Sequence, residues 1–140
     1  MPRDKQARPT TGDSRMTSIR PAALIVEDQP FIGMVASDIL GESGFDTFHA
    51  FNAADAISVL GEHPEIEVVV TDAQLPGGVD GLELARRLSR DRPDVRLVVT
   101  AAGPALAQSD VPAGARVLHK PYASGELRTL VAAGELLQDS

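Results

Sequence analysis

From residue 22 onward this sequence predicts an α/β fold, a doubly wound parallel sheet covered by helices on both faces, and three observations carry that expectation. Short apolar runs alternate with amphipathic stretches five times along the chain. The central run Val68-Val69-Val70 is apolar on both faces, as a fully covered parallel strand must be. Four of the five runs end in residues able to handle a metal or a phosphate: Glu27-Asp28, Asp72, Thr100 and Lys120. In such sheets the carboxyl ends of the strands form the crevice where ligands bind.

The first strand, Ala22 to Val26, leads to Glu27-Asp28, and a helix starts near Pro30, a residue suited to a first helical turn. Ile32, Val35, Ala36 and Ile39 are expected on its inward face. Gly41 to Gly44 stops it, and a second strand covers about Phe45 to Phe51. Asn52, with Asp55 three residues on, reads as the cap of a second helix that turns Ala53, Ala56, Ile57 and Leu60 inward. Ile66 to Thr71 is the third strand, ending at Asp72. A loop from Ala73 to Val79 precedes a helix from about Asp80 to Arg90, with Leu84 and Leu88 one turn apart. Arg96 to Thr100 is the fourth strand. Pro104 and Pro112 then bracket the next stretch, so the fourth helix is expected to be short or irregular. Ala115 to Leu118 is the fifth strand, followed by His119-Lys120-Pro121, and Leu127, Leu130, Val131, Gly134 and Leu137 mark the closing helix.

Composition narrows the function classes. With 140 residues and 43% hydrophobic content the chain has room for one domain with a real core. It has no cysteine, which excludes a disulfide framework, a thiolate zinc site and a thiol nucleophile. No apolar run is long enough to span a bilayer and the N-terminus lacks a secretory apolar block, so a cytoplasmic protein without a membrane partner is expected. Residues 1–21 mix Pro, Thr, Ser, Gly and charges without a hydrophobic period, the composition of a disordered tail, leaving 22–140 as the domain. The net charge is -7, and the first 20 residues are basic, which makes the domain itself still more acidic and argues against a nucleic-acid surface. Lysine occurs only at Lys5 and Lys120, every other basic residue being arginine.

Three carboxylates gathered at one sheet edge repel one another: at about 4 Å and an effective dielectric near 20, each pair costs on the order of 4 kcal/mol. One lysine cannot offset that, whereas a divalent cation brings the formal charge to zero. Hard oxygen ligands suit magnesium. A raised pKa on one carboxyl group is the alternative relief. Taken singly, each residue also has a plain structural role: Glu27 and Asp28 as loop and helix cap, Asp72 as a loop cap, Thr100 as a strand-end hydroxyl, Lys120 as a solvated charge. Their convergence on one edge favours a site.

The segments Leu24-Ile25-Val26-Glu27-Asp28, VVVTDAQLPGGVDGLEL over residues 68–84, Leu97-Val98-Val99-Thr100-Ala101 and Leu118-His119-Lys120-Pro121-Tyr122 together resemble the receiver domains of bacterial two-component response regulators. The resemblance implies a flavodoxin-like sheet of strand order 2-1-3-4-5 and a phosphoprotein switch that is no enzyme beyond its own aspartyl phosphorylation and dephosphorylation. Asp72 would be the phosphoacceptor, taking a phosphoryl group from the phosphohistidine of a histidine kinase or phosphotransfer protein. Asp28 and Asp72 would hold Mg2+ directly, Glu27 mainly through water, and the backbone carbonyl of Gln74 would complete the set. Lys120 and Thr100 would contact the phosphoryl group, and Lys120–Pro121 would be a cis peptide. Phosphorylation would then shift the population of a conformation that binds a target protein.

Three departures bear on output. Val117 stands three before Lys120, where the family often has an aromatic; the loop after Asp72 is about one residue longer; and the fourth helix is curtailed. Tyr122 is a candidate for a partner surface or for packing. Ala102, two after Thr100, cannot orient a water and Gln74 occupies the matching place after Asp72, so slow self-dephosphorylation is expected. Only 19 residues follow Pro121, which favours a stand-alone receiver. The alternatives are a phosphorylation-independent receiver-like binding module, and a phosphohydrolase of the haloacid-dehalogenase kind. The second requires Asp-x-Asp after the first strand, where this chain has Glu27-Asp28-Gln29-Pro30.

Overall fold

A computed structural model of the chain describes residues 20–139 apart from Pro104, with side chains as far as Ala132. The expected disordered tail therefore lies outside the described residues except for Arg20 and Pro21. Five strands, β1 (Ala22–Val26), β2 (Asp46–Ala50), β3 (Ile66–Asp72), β4 (Arg96–Ala102) and β5 (Arg116–Lys120), form one parallel sheet of order 2-1-3-4-5. Four α-helices cover it: α1 (Pro30–Glu42), α2 (Ala53–Glu62), α3 (Gly81–Asp91) and α4 (Ser124–Asp139).

Strand alternation divides the interior into two cores. Leu24, Val69, Leu97 and Val99 pack with Ala53, Ala56 and Leu60 of α2 and Leu84, Ala85 and Leu88 of α3. Ile25, Val70, Val98 and Leu118 point the other way, against Ala36, Ile39 and Leu40 of α1 and Leu127 and Val131 of α4. Asn52 caps α2 as expected, its side chain accepting Asp55 N–H at 2.8 Å, and Asp80 caps α3 through Glu83 N–H at 2.9 Å. Arg20 donates to the carbonyls of Gly41, Gly44 and Phe45, tying the chain's entry to the turn after α1.

Two expected inward residues are exposed. Val35 is outside because α1 is phased on Gly33, Ala36, Ile39 and Leu40; the helix is apolar around much of its circumference, so periodicity alone could not select the face. Phe31 and Met34 join Val35 on the solvent side. Ile57 is exposed because the small Ala53 and Ala56 bring α2 close to the sheet, leaving Ile57 at the rim of a groove shared with Pro76, Gly77 and Val79. Between β4 and β5 the expected short or irregular helix is a single 3-10 turn, Gln108–Asp110.

Candidate functional site

The same alternation assembles the site. Glu27, Asp72, Thr100 and Lys120 each follow by two residues a side chain of the α1/α4 core, namely Ile25, Val70, Val98 and Leu118, and so emerge on that face at the carboxyl ends of four adjacent strands. Register aligns them, with Asp72 opposite Thr100 and Lys120 opposite Ala102.

Lys120 is the hinge of the arrangement. Its Nζ donates to Glu27 Oε1 and to Asp72 Oδ2, both at 2.9 Å. Glu27 is only 4% exposed, and Lys120 is its cationic partner among the described residues. The remaining oxygens are held by the local backbone: Glu27 Oε2 accepts Gln29 N–H at 3.2 Å and Asp72 Oδ1 accepts Gln74 N–H at 3.1 Å. Carboxylate oxygens of Glu27, Asp28 and Asp72 all lie within 4.8 Å of one another. This acidic cluster sits over one ammonium, and its uncompensated charge and hard oxygen donors suit a divalent cation.

Burial pushes the Lys120 ammonium toward deprotonation, but the hydrogen bonds it donates to Asp72 and Glu27 outweigh this and hold its pKa above the usual lysine value. Tyr122 is pushed up by burial, with Lys120 opposing and Glu27 adding to the shift. Thr100 is 3% exposed, and its hydroxyl has no protein hydrogen-bond partner among the described residues. It lines a narrow cavity with Glu27, Asp72, Ile32 and Tyr122. An unpartnered buried hydroxyl beside a carboxylate is a polar group held ready for a ligand. Above it opens a cleft of about 830 Å³, bordered by Asp28, Asp72, Gln74, Leu82, Ala102 and Lys120. The Lys120–Pro121 peptide is cis, as the resemblance implied.

Glu27, Asp28, Asp72, Gln74, Thr100 and Lys120 thus meet at one place. Val117 does not: it packs on the α2/α3 core, across the sheet from Thr100, whereas Tyr122 packs on the α1/α4 core. Two residues escaped the sequence reading. A Cβ on Gly81 would lie 1.5 Å from the carbonyl oxygen of Asp72, so the first turn of α3 rests directly on the main chain of Asp72. The Asp80-Gly81 pair at a helix start was the available signal. The other is His49, which the sequence does not single out. Its Nε2 lies 2.9 Å from the carbonyl oxygen of Glu27. No sequence pattern announces that contact.

A parallel doubly wound sheet with an acidic cluster, a bridging lysine and a buried threonine at its carboxyl edge defines a receiver-like switch domain. The family model described as "Response regulator receiver domain" matches residues 23–132. The chain belongs to this family, the receiver domains of two-component response regulators. It is 34% identical over 111 residues to the response regulator receiver protein CpdR of Brucella abortus, covering 77% of this chain and 88% of that protein. It is 30% identical over 80 residues to sporulation initiation phosphotransferase F of Bacillus subtilis, covering 56% of this chain and 62% of that protein. In longer relatives it spans only a part, 33% of the transcriptional regulatory protein AruR of Pseudomonas aeruginosa and 12% of the sensor kinase CckA of Brucella abortus. Among solved structures, a response regulator receiver protein from Sinorhizobium medicae superposes with a TM-score of 0.75 at 27% identity, over 85% of this chain and 95% of that one. The receiver domain of NtrX from Brucella abortus gives 0.71 at 26% identity, over 84% and 99%.

Proposed function

We propose that the chain accepts a phosphoryl group on Asp72 from the phosphohistidine of a histidine kinase or histidine phosphotransfer protein, in a Mg2+-dependent reaction, and signals by altered binding to a target protein. The observation that carries this reading is Lys120 bridging Glu27 and Asp72 beside Asp28 and the unpartnered Thr100 hydroxyl. Asp28, Asp72 and the Gln74 carbonyl would hold the Mg2+ directly, with Glu27 acting through water. When bound there, the cation would supply positive charge to offset that of the transferring phosphoryl oxygens.

The chain's own residues supply the rest. A carboxylate oxygen of Asp72 forms the new bond to phosphorus as the phosphorus–nitrogen bond breaks, and the departing imidazole keeps the electron pair and takes up a proton. Lys120 exchanges its contact with the Asp72 carboxylate for a phosphoryl oxygen, a point-charge role that arginine does not reproduce. Thr100 donates its hydroxyl to the same group. Exposed Phe31, Met34 and Val35 on α1 adjoin the cleft through Ile32, an apolar surface that a phosphodonor protein can cover. Kinship with a sensor kinase and a phosphotransferase supports phosphotransfer as the input. Among the described residues no helix is long and apolar enough to cross a membrane.

The test is incubation with Mg2+ and a small phosphodonor, comparing wild type with Asp72→Ala. An acid-stable, base-labile acyl phosphate confined to wild type supports the reading. No labelling with any donor supports a phosphorylation-independent binding module instead. Ala102 and Gln74 both border the cleft. Neither carries a carboxylate to orient a hydrolytic water, so phospho-Asp72 should decay more slowly in wild type than in Ala102→Glu; equal decay rates defeat that expectation.

A further inference from the structure

We propose that His49 is a positioning residue for the acidic pair: its imidazole holds the main chain at Glu27, so that Asp28 stays aimed at the cation site. This rests on the phosphoacceptor reading given above.

Pairing of β1 with its neighbours ends at Val26. One step further, Glu27 N–H still reaches the Ala50 carbonyl at 3.0 Å, but the Glu27 carbonyl has left the ladder. His49 Nε2, at 2.9 Å, takes its place as partner. A carbonyl only accepts, so Nε2 is the protonated nitrogen. The peptide between Glu27 and Asp28 is therefore held from the strand behind it rather than by sheet hydrogen bonding.

Two further features serve only to keep the imidazole there. A Cβ on Gly33 would lie 2.1 Å from Cε1 and 2.4 Å from Nε2 of His49, so the ring lies against bare helix backbone and any side chain at position 33 would expel it. On its other side the ring stacks on Phe51, with centroids 4.2 Å apart and planes at 28°. Phe51 is 41% exposed, a cost in exposed apolar surface that the stacking explains. Glycine inside a helix also weakens it, by about 1 kcal/mol relative to alanine. A glycine and an exposed phenyl thus flank the one imidazole that meets the Glu27 carbonyl oxygen.

Asp28 needs that support. It is exposed, and among the described residues its carboxylate makes no hydrogen bond. Glu27 and Asp72 are fixed by Lys120, whereas Asp28 takes its direction from the peptide that His49 holds. Partners of this kind behind a metal ligand raise affinity by restricting its orientation.

The test is Mg2+ affinity measured directly by calorimetry on the full chain, together with the Mg2+ dependence of Asp72 labelling by a small phosphodonor. His49→Ala should raise the Mg2+ dissociation constant about three- to tenfold, the value of one hydrogen bond, and should raise the Mg2+ needed for half-maximal labelling by the same factor with the saturated rate kept. His49→Gln, which retains a donor, should recover most of the loss. Gly33→Ala should weaken Mg2+ similarly in the wild-type background and add nothing in His49→Ala, and it remains usable alone if His49→Ala does not fold. An unchanged dissociation constant in His49→Ala, no recovery in His49→Gln, or full additivity with Gly33→Ala would each overturn the proposal. If wild type binds Mg2+ with the predicted His49 dependence but Asp72 is never labelled, the phosphoacceptor reading fails and the positioning role stands.

Discussion

The carboxyl ends of β1, β3 and β5 and the connection between β4 and β5 lie side by side, yet they are built on different terms. At the first, close contacts hold the main groups: Lys120 joins Glu27 to Asp72, and Gly81 lets α3 rest on Asp72. At the second, a helix is replaced by one 3-10 turn, and small side chains, Ala102, Ala105 and Ala107, line the way. Two buried apolar residues, Val111 and Ala115, anchor it. The difference teaches that the chemistry proposed at Asp72 would depend on close-range fit, whereas the neighbouring connection carries little of that constraint. Substitutions at the first region should alter stability and phosphorylation together, and those at the second should separate them.

The strongest way to break this contrast is Gly81→Ala. The added methyl overlaps the Asp72 carbonyl, so either α3 or the Asp72 main chain must move. We expect a loss of about 3 kcal/mol in urea denaturation and a fall of roughly 100-fold in the Asp72 labelling rate, the scale on which small misplacements act in catalysis. A well-folded variant labelled at the wild-type rate would show that fit at Asp72 does not matter.

Next in size is Lys120→Ala. It leaves Glu27 and Asp72 facing each other without their shared cation, at a cost of about 2 kcal/mol in Mg2+-free buffer, and Mg2+ should restore more stability to the variant than it adds to wild type. The same pair has a pH signature. Because the hydrogen bonds that Lys120 donates to the two carboxylates hold its folded-state pKa above the unfolded value, its contribution is complete below the ordinary lysine range, near pH 10.4, and is lost as pH rises through the higher folded value. Wild type should lose stability in that alkaline window, and Lys120→Ala should lack that part of the decline. Asp28→Asn acts in the opposite sense. It removes the carboxylate that has no partner, so in Mg2+-free buffer the variant should gain about 1 kcal/mol, while the stabilisation by added Mg2+ should largely vanish.

How much of this was legible follows from what each feature depends on. The five strands and the site residues were readable because strand ends and period-two alternation are local properties, and the cap at Asn52 was readable for the same reason. Val35 and Ile57 were misplaced because the inward face of an apolar helix is decided by what it packs on, and for α1 that is His49 against Gly33. The role of His49 was invisible because the Glu27 carbonyl it meets is 22 residues earlier in the chain. The curtailed helix between Pro104 and Pro112 could be expected from the prolines, but its replacement could not, since it depends on one glutamine reaching the edge of the sheet.

That glutamine gives the smallest and most discriminating test. β5 is an edge strand, and unpaired edge groups invite association. The Gln108 side chain closes part of that edge as a surrogate neighbour: its amide nitrogen donates to the Ala115 carbonyl, and its oxygen accepts Val117 N–H at 3.2 Å. His119 adds a bond to the Leu106 carbonyl at 2.7 Å. Gln108→Ala removes two hydrogen bonds from an exposed segment, so the expected loss is only about 1 kcal/mol. None of these groups touches Glu27, Asp28 or Asp72, so Mg2+ affinity and the rate of Asp72 labelling should stay within about twofold of wild type. A readout specific to the β4–β5 connection, amide hydrogen exchange at Val117 and its neighbours, should accelerate. If Gln108→Ala instead slows labelling as strongly as Gly81→Ala, the two regions are one cooperative unit and the connection shapes the phosphoacceptor site after all.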